Sequence, residues 1–524
     1  MSKYKIFIGV LLLLPGILFA QADPFLPPTP VAVGQGGAFT ANAEGMNAFF
    51  YNPAGFARDG EFTLLSVTPW AFMDKSLLDF LMQELNLSSE QDEPAGSVSR
   101  QLDPETLAQF GIDDEAIAGL EEVANWGGGL TPEQQEAAIN SVVTDETVKK
   151  NLEESGVDVE SLKTLIEDPE TTQEQLSEAL GGVVIAVISN PEILDSTLTA
   201  ASAGAESAGG PKLPEETIDK VASTLDPASN PKIPSGNLRA GAQVALGYVG
   251  HGFGLGAFVT ADAQFRGKNI FGTKGRILNT VTLAAGLAFP IGPITLGAQV
   301  RPTFMGYSNV NPSSMINTLL AGGEPDLQAL IGDVYTGFRI GVDVGALWDI
   351  GPFTLGAAIK DILPFKLQQA TKYTGEEYIS LLTAGELPLN TGAPVTADEL
   401  YDVPPFKLNV GASFHPDLGA LSVLFDPRIS VDVRDLIGII RAGNDDAYLD
   451  PTVWDFLNIG AEVKILRFAS FRAGMYDGYL TAGVGAHLLF LDINAAVAIS
   501  EPREVDGSLQ FKNIGFTLET AIRF

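Results

Sequence analysis

Few residues in this 524-residue chain have the type and spacing that catalysis needs. It contains no cysteine, which removes thiol nucleophiles, disulfides and Cys-ligated metal sites. Of its three histidines, His251 and His415 fall at short turns, and His487 shares an alternating face with Thr481, Gly483 and Gly485. A lone histidine needs a serine beside it in space to act as a base, and no motif supplies one, so His487 reads as a satisfied polar residue. Gly127-Gly128-Gly129 has no strand before it and no lysine after it, and reads as a loop rather than a phosphate cradle. No catalytic set, metal spacing or cofactor motif emerges.

The basic residues say more. Arg239, Arg301, Arg339, Arg434 and Arg472 recur among small residues on alternating segments. A guanidinium matches a carboxylate fork for fork. Two arrangements fit: capture of an anionic ligand head group, or a wall of internal ion pairs with Asp262, Asp343, Asp432 and Glu462. Both need elements that place every second residue on one face.

Such elements are present. In the last segment Ile514, Phe516, Leu518, Thr520, Ile522 and Phe524 face one way, while Gly515, Thr517, Glu519, Ala521 and Arg523 face the other. One apolar face and one polar or small face is what lipid outside and water inside demand of a strand. About fourteen segments of this kind occur: 61–70, 237–249, 252–266, 278–289, 293–306, 334–349, 352–363, 404–415, 421–435, 453–465, 468–476, 478–488, 491–501 and 511–524. Their connections alternate in length. Those at 250–251, 290–292, 350–351, 416–420, 466–467 and 489–490 are short. Those at 71–236, 307–333, 364–403 and 436–452 are long, those at 267–277 and 502–510 are moderate, and the short one near Asp477 breaks the pattern. Bacterial outer-membrane barrels have this parity, with short periplasmic turns and long outer loops. A soluble sandwich has no reason to obey it.

The ends agree. Lys3 and Lys5, the apolar run Ile6 to Phe19 and the small residues of Ala20-Gln21-Ala22 have the layout of an export signal, 1–22. No later run of 18 apolar residues could span as a helix, so any spanning element is a strand. The aromatic Phe524 closing an alternating strand resembles the insertion signal of outer-membrane barrels, which implies the barrel-assembly machinery and outer-membrane lipid as partners.

Residues 74–235 break the alternation. They hold 33 acids against 8 bases, most of the net charge of −34, and a surface so acidic excludes nucleic acid as a partner. Asp103-Pro104-Glu105, Thr131-Pro132-Glu133, Asp168-Pro169-Glu170 and Asn190-Pro191-Glu192 each put a capping side chain before proline and an acid in the first turn. Thr131 and Gln134 have capping-box spacing. Val183–Ile188 could supply a small apolar core. The segment reads as a helical extracellular insertion, either a partner-binding surface or a solvated decoration.

Ahead of the first strand stand Val33-Gly34-Gln35-Gly36-Gly37-Ala38-Phe39-Thr40-Ala41 and Asn47-Ala48-Phe49-Phe50-Tyr51-Asn52-Pro53-Ala54-Gly55-Phe56. This lead, ending in Asn52, Pro53 and Ala54, resembles the N-terminal hatch of the FadL-like outer-membrane long-chain fatty-acid transporter family. Arg472-Ala473-Gly474-Met475-Tyr476-Asp477-Gly478 resembles a stretch that recurs in divergent members. The resemblance implies a fourteen-stranded antiparallel outer-membrane β-barrel with a hatch at 23–59, a first strand at 60–73 and the remaining barrel at 236–524. It also implies a non-enzymatic channel for a hydrophobic small molecule, with 307–333 and 364–403 as the loops that receive it. The insertion has no counterpart in that pattern. A surface-exposed structural or adhesive barrel is the alternative.

Overall fold

The computed structural model describes residues 26–79, 114–154, 191–224, 236–267, 273–310, 331–362, 368–383, 393–394, 406–437, 456–466, 468–500, 503–505, 508–510 and 512–524, with single positions between them at 82, 159, 164, 226 and 269. The export signal, the capping sites at Asp103 and Asp168 and the run Val183–Ile188 lie outside the described residues.

Fourteen strands close into one antiparallel barrel. They are β1 (Glu61–Asp74), β2 (Leu238–Gly250), β3 (Phe253–Arg266), β4 (Lys274–Ile291), β5 (Ile294–Val310), β6 (Ile331–Ile350) and β7 (Phe353–Lys360). After them come β8 (Lys407–Phe414), β9 (Phe425–Val433), β10 (Leu457–Ile465), β11 (Ala469–Tyr476), β12 (Tyr479–Leu488), β13 (Leu491–Ile499) and β14 (Asn513–Arg523). Each pairs with its neighbours in sequence, and β1 meets β14 with Thr63 opposite Arg523 and Asp74 opposite Asn513. Closure leaves no sheet edge, the condition for strands in hydrocarbon. The side-chain period of two sorts the faces. On β4, Val281, Leu283, Leu287 and Phe289 are exposed outward, while Thr280, Thr282, Ala284 and Ala288 are buried inward. On β14, Phe516 and Leu518 point out, and Thr517, Glu519 and Ala521 point in. So continuous an apolar belt is stable against lipid, not water.

Both described chain ends of the barrel, Gly60 and Phe524, lie at the rim of short turns. His251 and Leu489 take left-handed backbone there, with φ of 56° and 60°. At the opposite rim the turn Asp477-Gly478, φ 46° and 79°, is the short connection that departs from the parity.

The wall is uneven. Strands β4, β5 and β6 have 18, 17 and 20 residues, whereas β7, β8 and β11 have 8. A barrel strand needs about 9–11 residues to span, so the tall side stands above the belt. Strand β7 leaves β6 at Asp361, φ 52°. Above that break a short strand, Gln368–Tyr373, takes its place on β6, with Val334 opposite Tyr373. Helix Gly375–Thr383 then packs Tyr378 and Leu381 against Val334 and Tyr373. The alternation rule misses these elements because a strand above the membrane need not carry an apolar outer face.

The described part of the insertion is mainly helical, with helices Asp114–Gly128, Pro132–Thr144, Glu146–Glu154, Pro191–Ser207 and Glu215–Thr224. Thr131 and Gln134 form the reciprocal capping box. Leu130, Ala138 and Ala205 make a small core with Trp126 and Ala201. The loop reading of Gly127-Gly128-Gly129 is corrected here. The first helix runs through Gly128, and Gly129 N–H donates to Asn125 O at 3.0 Å. Two glycines cost a helix about 1 kcal/mol each. The Trp126 indole offsets this by packing into the core and donating to Pro211 O at 2.7 Å.

Candidate functional site

The segment between Leu26 and Ala57 lies inside the barrel, and nearly all of it is buried. Its first short helix, α1 (Pro30–Gly34), is set by Thr29, whose hydroxyl accepts from Ala32 N–H at 3.3 Å, and by Pro30 at the first position. Gly36 and Gly37 then turn the chain with φ of 61° and 73°. A side chain at Gly36 would meet the Met475 backbone at 2.6 Å, so this turn needs glycine both for its dihedral and for its contact with the wall. A second short helix, α2 (Asn47–Phe50), leads to Asn52.

Asn52 is fully buried and uses both ends of its amide. Its Oδ1 accepts from Ala54 N–H at 3.1 Å and caps the 3-10 turn Pro53–Ala57. Its Nδ2 donates to Thr40 O at 2.8 Å, to Ala346 O of β6 at 3.1 Å and to Ala357 O of β7 at 3.3 Å. One side chain thus ties the plug to itself and to two strands. Pro53 fixes φ and holds Asn52 extended, at φ −156° and ψ 110°.

Further ties surround the plug. Thr40 N–H donates to Asp432 of β9 at 2.6 Å, and Gln299 Nε2 of β5 donates to Phe49 O at 2.7 Å. Lys360 Nζ of β7 donates to Phe50 O, and Arg428 of β9 donates to Asn42 and, at 2.9 Å, to Glu44. Burial raises the Glu44 carboxyl, and the neighbouring Arg428 and Lys464 overcome that and hold it down at about 2. On the β2–β4 side the seal is apolar. Phe49 packs on Phe56 at 4.9 Å and on Phe258 at 5.4 Å, with Phe39, Phe50, Tyr51, Ala245, Val249, Ala284 and Ala288 around them. Burying each such ring stabilises the seat by about 1.5–3 kcal/mol.

All five arginines singled out in the sequence are engaged by acids of the barrel. Arg239 makes a two-pronged contact with Asp262 at 3.0 and 2.9 Å. Arg301 does the same with Asp343 at 2.8 and 2.9 Å and also reaches Asp361 at 3.0 Å. Arg339 lies 2.6 Å from Asp361, and Arg434 lies 3.0 Å from Asp477 with its guanidinium over the Tyr476 ring. Arg472 pairs with Glu462 at 2.8 Å and donates to Asn494 at 2.9 Å. Asp432 serves the plug instead of an arginine. Gln299, Lys360 and Arg428 are plug contacts that motif reading missed; for Gln299 the clue was available, since it shares the inward face of β5 with Arg301.

The histidines sit at the short-turn rim. His251 meets the Tyr248 hydroxyl at 2.6 Å, His415 meets Asp426 at 2.6 Å, and His487 pairs with Asp492. Among the described residues no group of three or more His, Asp or Glu could hold a metal. Phe524 is outward and exposed; its backbone exchanges hydrogen bonds with Phe62 at 2.9 and 3.0 Å, fastening the closing strand to β1.

These features define a transmembrane β-barrel of fourteen strands whose lumen is occupied by its own N-terminal segment. No family model matches the chain, and no curated protein matches it. Among solved structures it is similar to a Pseudomonas aeruginosa FadL homologue, at 11% identity over 96% of this chain and 99% of the other, TM-score 0.37. It is also similar to the P. putida toluene transporter TodX, at 12% identity over 56% of this chain and 85% of the other, TM-score 0.31. A third is the Ralstonia pickettii toluene transporter TbuX, at 16% identity over 58% and 93%, TM-score 0.30. The fold itself rests on the strand pairing described above.

Proposed function

We propose that this chain is a bacterial outer-membrane channel that admits hydrophobic small molecules, long-chain fatty acids or similar lipids among them, past an N-terminal hatch. The observation that carries the reading is a lumen blocked by a segment seated on specific wall residues, Asn52 above all, within a barrel whose outer face is apolar. A merely structural barrel has no use for a plug held by so many separate contacts. In this reading the short-turn rim is periplasmic, the insertion is extracellular, and the barrel-assembly machinery reads the strand that ends at Phe524. An anionic head group would bind Arg239, Arg301, Arg339, Arg434 or Arg472 by exchanging with the carboxylate already there. Uptake of labelled oleate and labelled toluene by cells with and without the gene tests the reading. Faster uptake of either supports it. Equal uptake of both with folded protein in the membrane overturns it and leaves the adhesive barrel.

A further inference from the structure

Beside α1 a cavity of about 420 Å³ separates the plug from β1, β2 and β10–β14. It reaches the short-turn rim at Gly60, His487 and Phe524. Its wall is polar. Gln243, Thr68, Glu519, Asn494 and Gly485 form one row of inward positions across five strands, and every one of them lines it.

The next inward row is Gly241, Trp70, Thr517, Ala496 and Gly483, joined by the registers Trp70 opposite Gly241 and Thr517, Ala496 opposite Thr517, and Gly483 opposite Ala496. Four of these five side chains are small. Trp70 alone in the row is large, and it packs against Gly241, where a Cβ would come within 2.6 Å of its ring. With Val33 of α1, Phe72, Tyr479, Ala496 and Ala498 it forms a buried apolar layer that begins one inward row above the residues lining the cavity. Its Nε1 is buried there with no hydrogen-bond partner among the described residues. A buried indole N–H without an acceptor is unfavourable, and the polar row one step below offers acceptors.

The opposite side of the plug is different. There Phe49, Phe56 and Phe258 pack together and Gln299 and Lys360 bind the plug backbone, while Phe39, Met46 and Phe50 of the same cluster line the cavity.

We propose that the cavity is the outlet of the channel on the short-turn side and that Trp70 is its gate, swinging from the apolar layer toward the polar row to open a path along β1, β14 and β13. The proposal rests on the channel reading above. The outlet has a polar wall facing an apolar plug surface, which favours an amphiphile over a pure hydrocarbon.

The test is ion conductance of the purified, folded barrel in planar bilayers, which needs no ligand. Trp70→Ala should produce a steady conductance absent from the parent, and adding the cavity-filling Ser66→Phe should remove it. A Trp70→Ala barrel that stays closed, or one whose conductance ignores Ser66→Phe, overturns the proposal. Because the chain has no cysteine, a second measurement avoids the risk that Trp70→Ala fails to fold. Thr68→Cys in the otherwise native protein should react with a charged thiol reagent supplied from the short-turn side, and Phe72→Cys should not. Equal labelling of the two overturns the proposal. If Trp70→Ala conducts as expected while cells take up neither oleate nor toluene, the outlet stands and the ligand reading fails.

Discussion

The Asn52 side chain donates to the carbonyl of Ala346, 294 residues away in sequence, at 3.1 Å. The same Nδ2 reaches Ala357 on the neighbouring strand, so one amide spans the β6–β7 seam just where these strands still pair. Asn52→Ala with Pro53→Ala should loosen the plug without preventing barrel closure. Losing buried bonds to the wall costs about 1–3 kcal/mol. Raised conductance and altered oleate uptake at matched surface abundance are expected, with heat-modifiable mobility unchanged. Parental conductance and uptake in the double variant would remove the anchor role.

The seat can be attacked from the other side. Gly345 faces Asn52 so closely that a Cβ there would collide with its amide. Gly345→Val therefore should expel the plug while leaving a β-branched residue that strands accept. Protease added to purified barrel should then cut between 26 and 59, a region protected in the parent. Continued protection would mean that the wall yields instead.

How much of this could be read from residues alone follows from physics. Lipid and lumen impose a period of two on every spanning strand, so the fourteen strands and the odd turn at Asp477 are written locally. The pairs Arg239–Asp262 and Arg472–Glu462 follow once the inward face is known, because each joins adjacent strands. The plug's seat is another matter. Thr40 and Asp432 meet across 392 residues, through a backbone N–H that every residue but proline carries. Lys360 looks like any strand-end lysine until the chain folds and Phe50 O arrives beside it. Such contacts leave no spacing to recognise.

Deleting Phe524 should reduce inserted barrel far more than exported chain. The residue contributes two backbone bonds to Phe62 and an outward ring 6.3 Å from Phe490 and 6.4 Å from Phe62. Comparing heat-modifiable barrel with total exported protein checks it, and equal ratios with and without Phe524 would contradict it.

The insertion gives a topological test. Protease added to intact cells should cut between 74 and 235 and spare the strands, whose backbone is hydrogen-bonded and shielded. Cutting only after the cells are opened would reverse the orientation proposed here.

Glu44 supplies a pH dependence whose sign is fixed. Its pKa falls from an ordinary 4.5 to about 2 because Arg428 and Lys464 favour the charged form more than burial disfavours it. A depressed carboxylate contributes its full stabilisation of the plug above about pH 4.5, and that contribution fades as pH falls toward 2. Between pH 7 and 5 the Glu44 contacts should therefore leave conductance constant. Below that range conductance should climb as the carboxylate protonates and releases Lys464 and Arg428, the latter still held by Asn42. Glu44→Gln keeps the shape and removes the charge, so it should conduct at pH 7 as the parent does once Glu44 is mostly protonated, and lose most of the acid response. Bilayer recordings of both proteins across this range, in fixed salt because these pairs are partly exposed and screened, decide it. An acid response of the same size in Glu44→Gln would place the titrating group elsewhere.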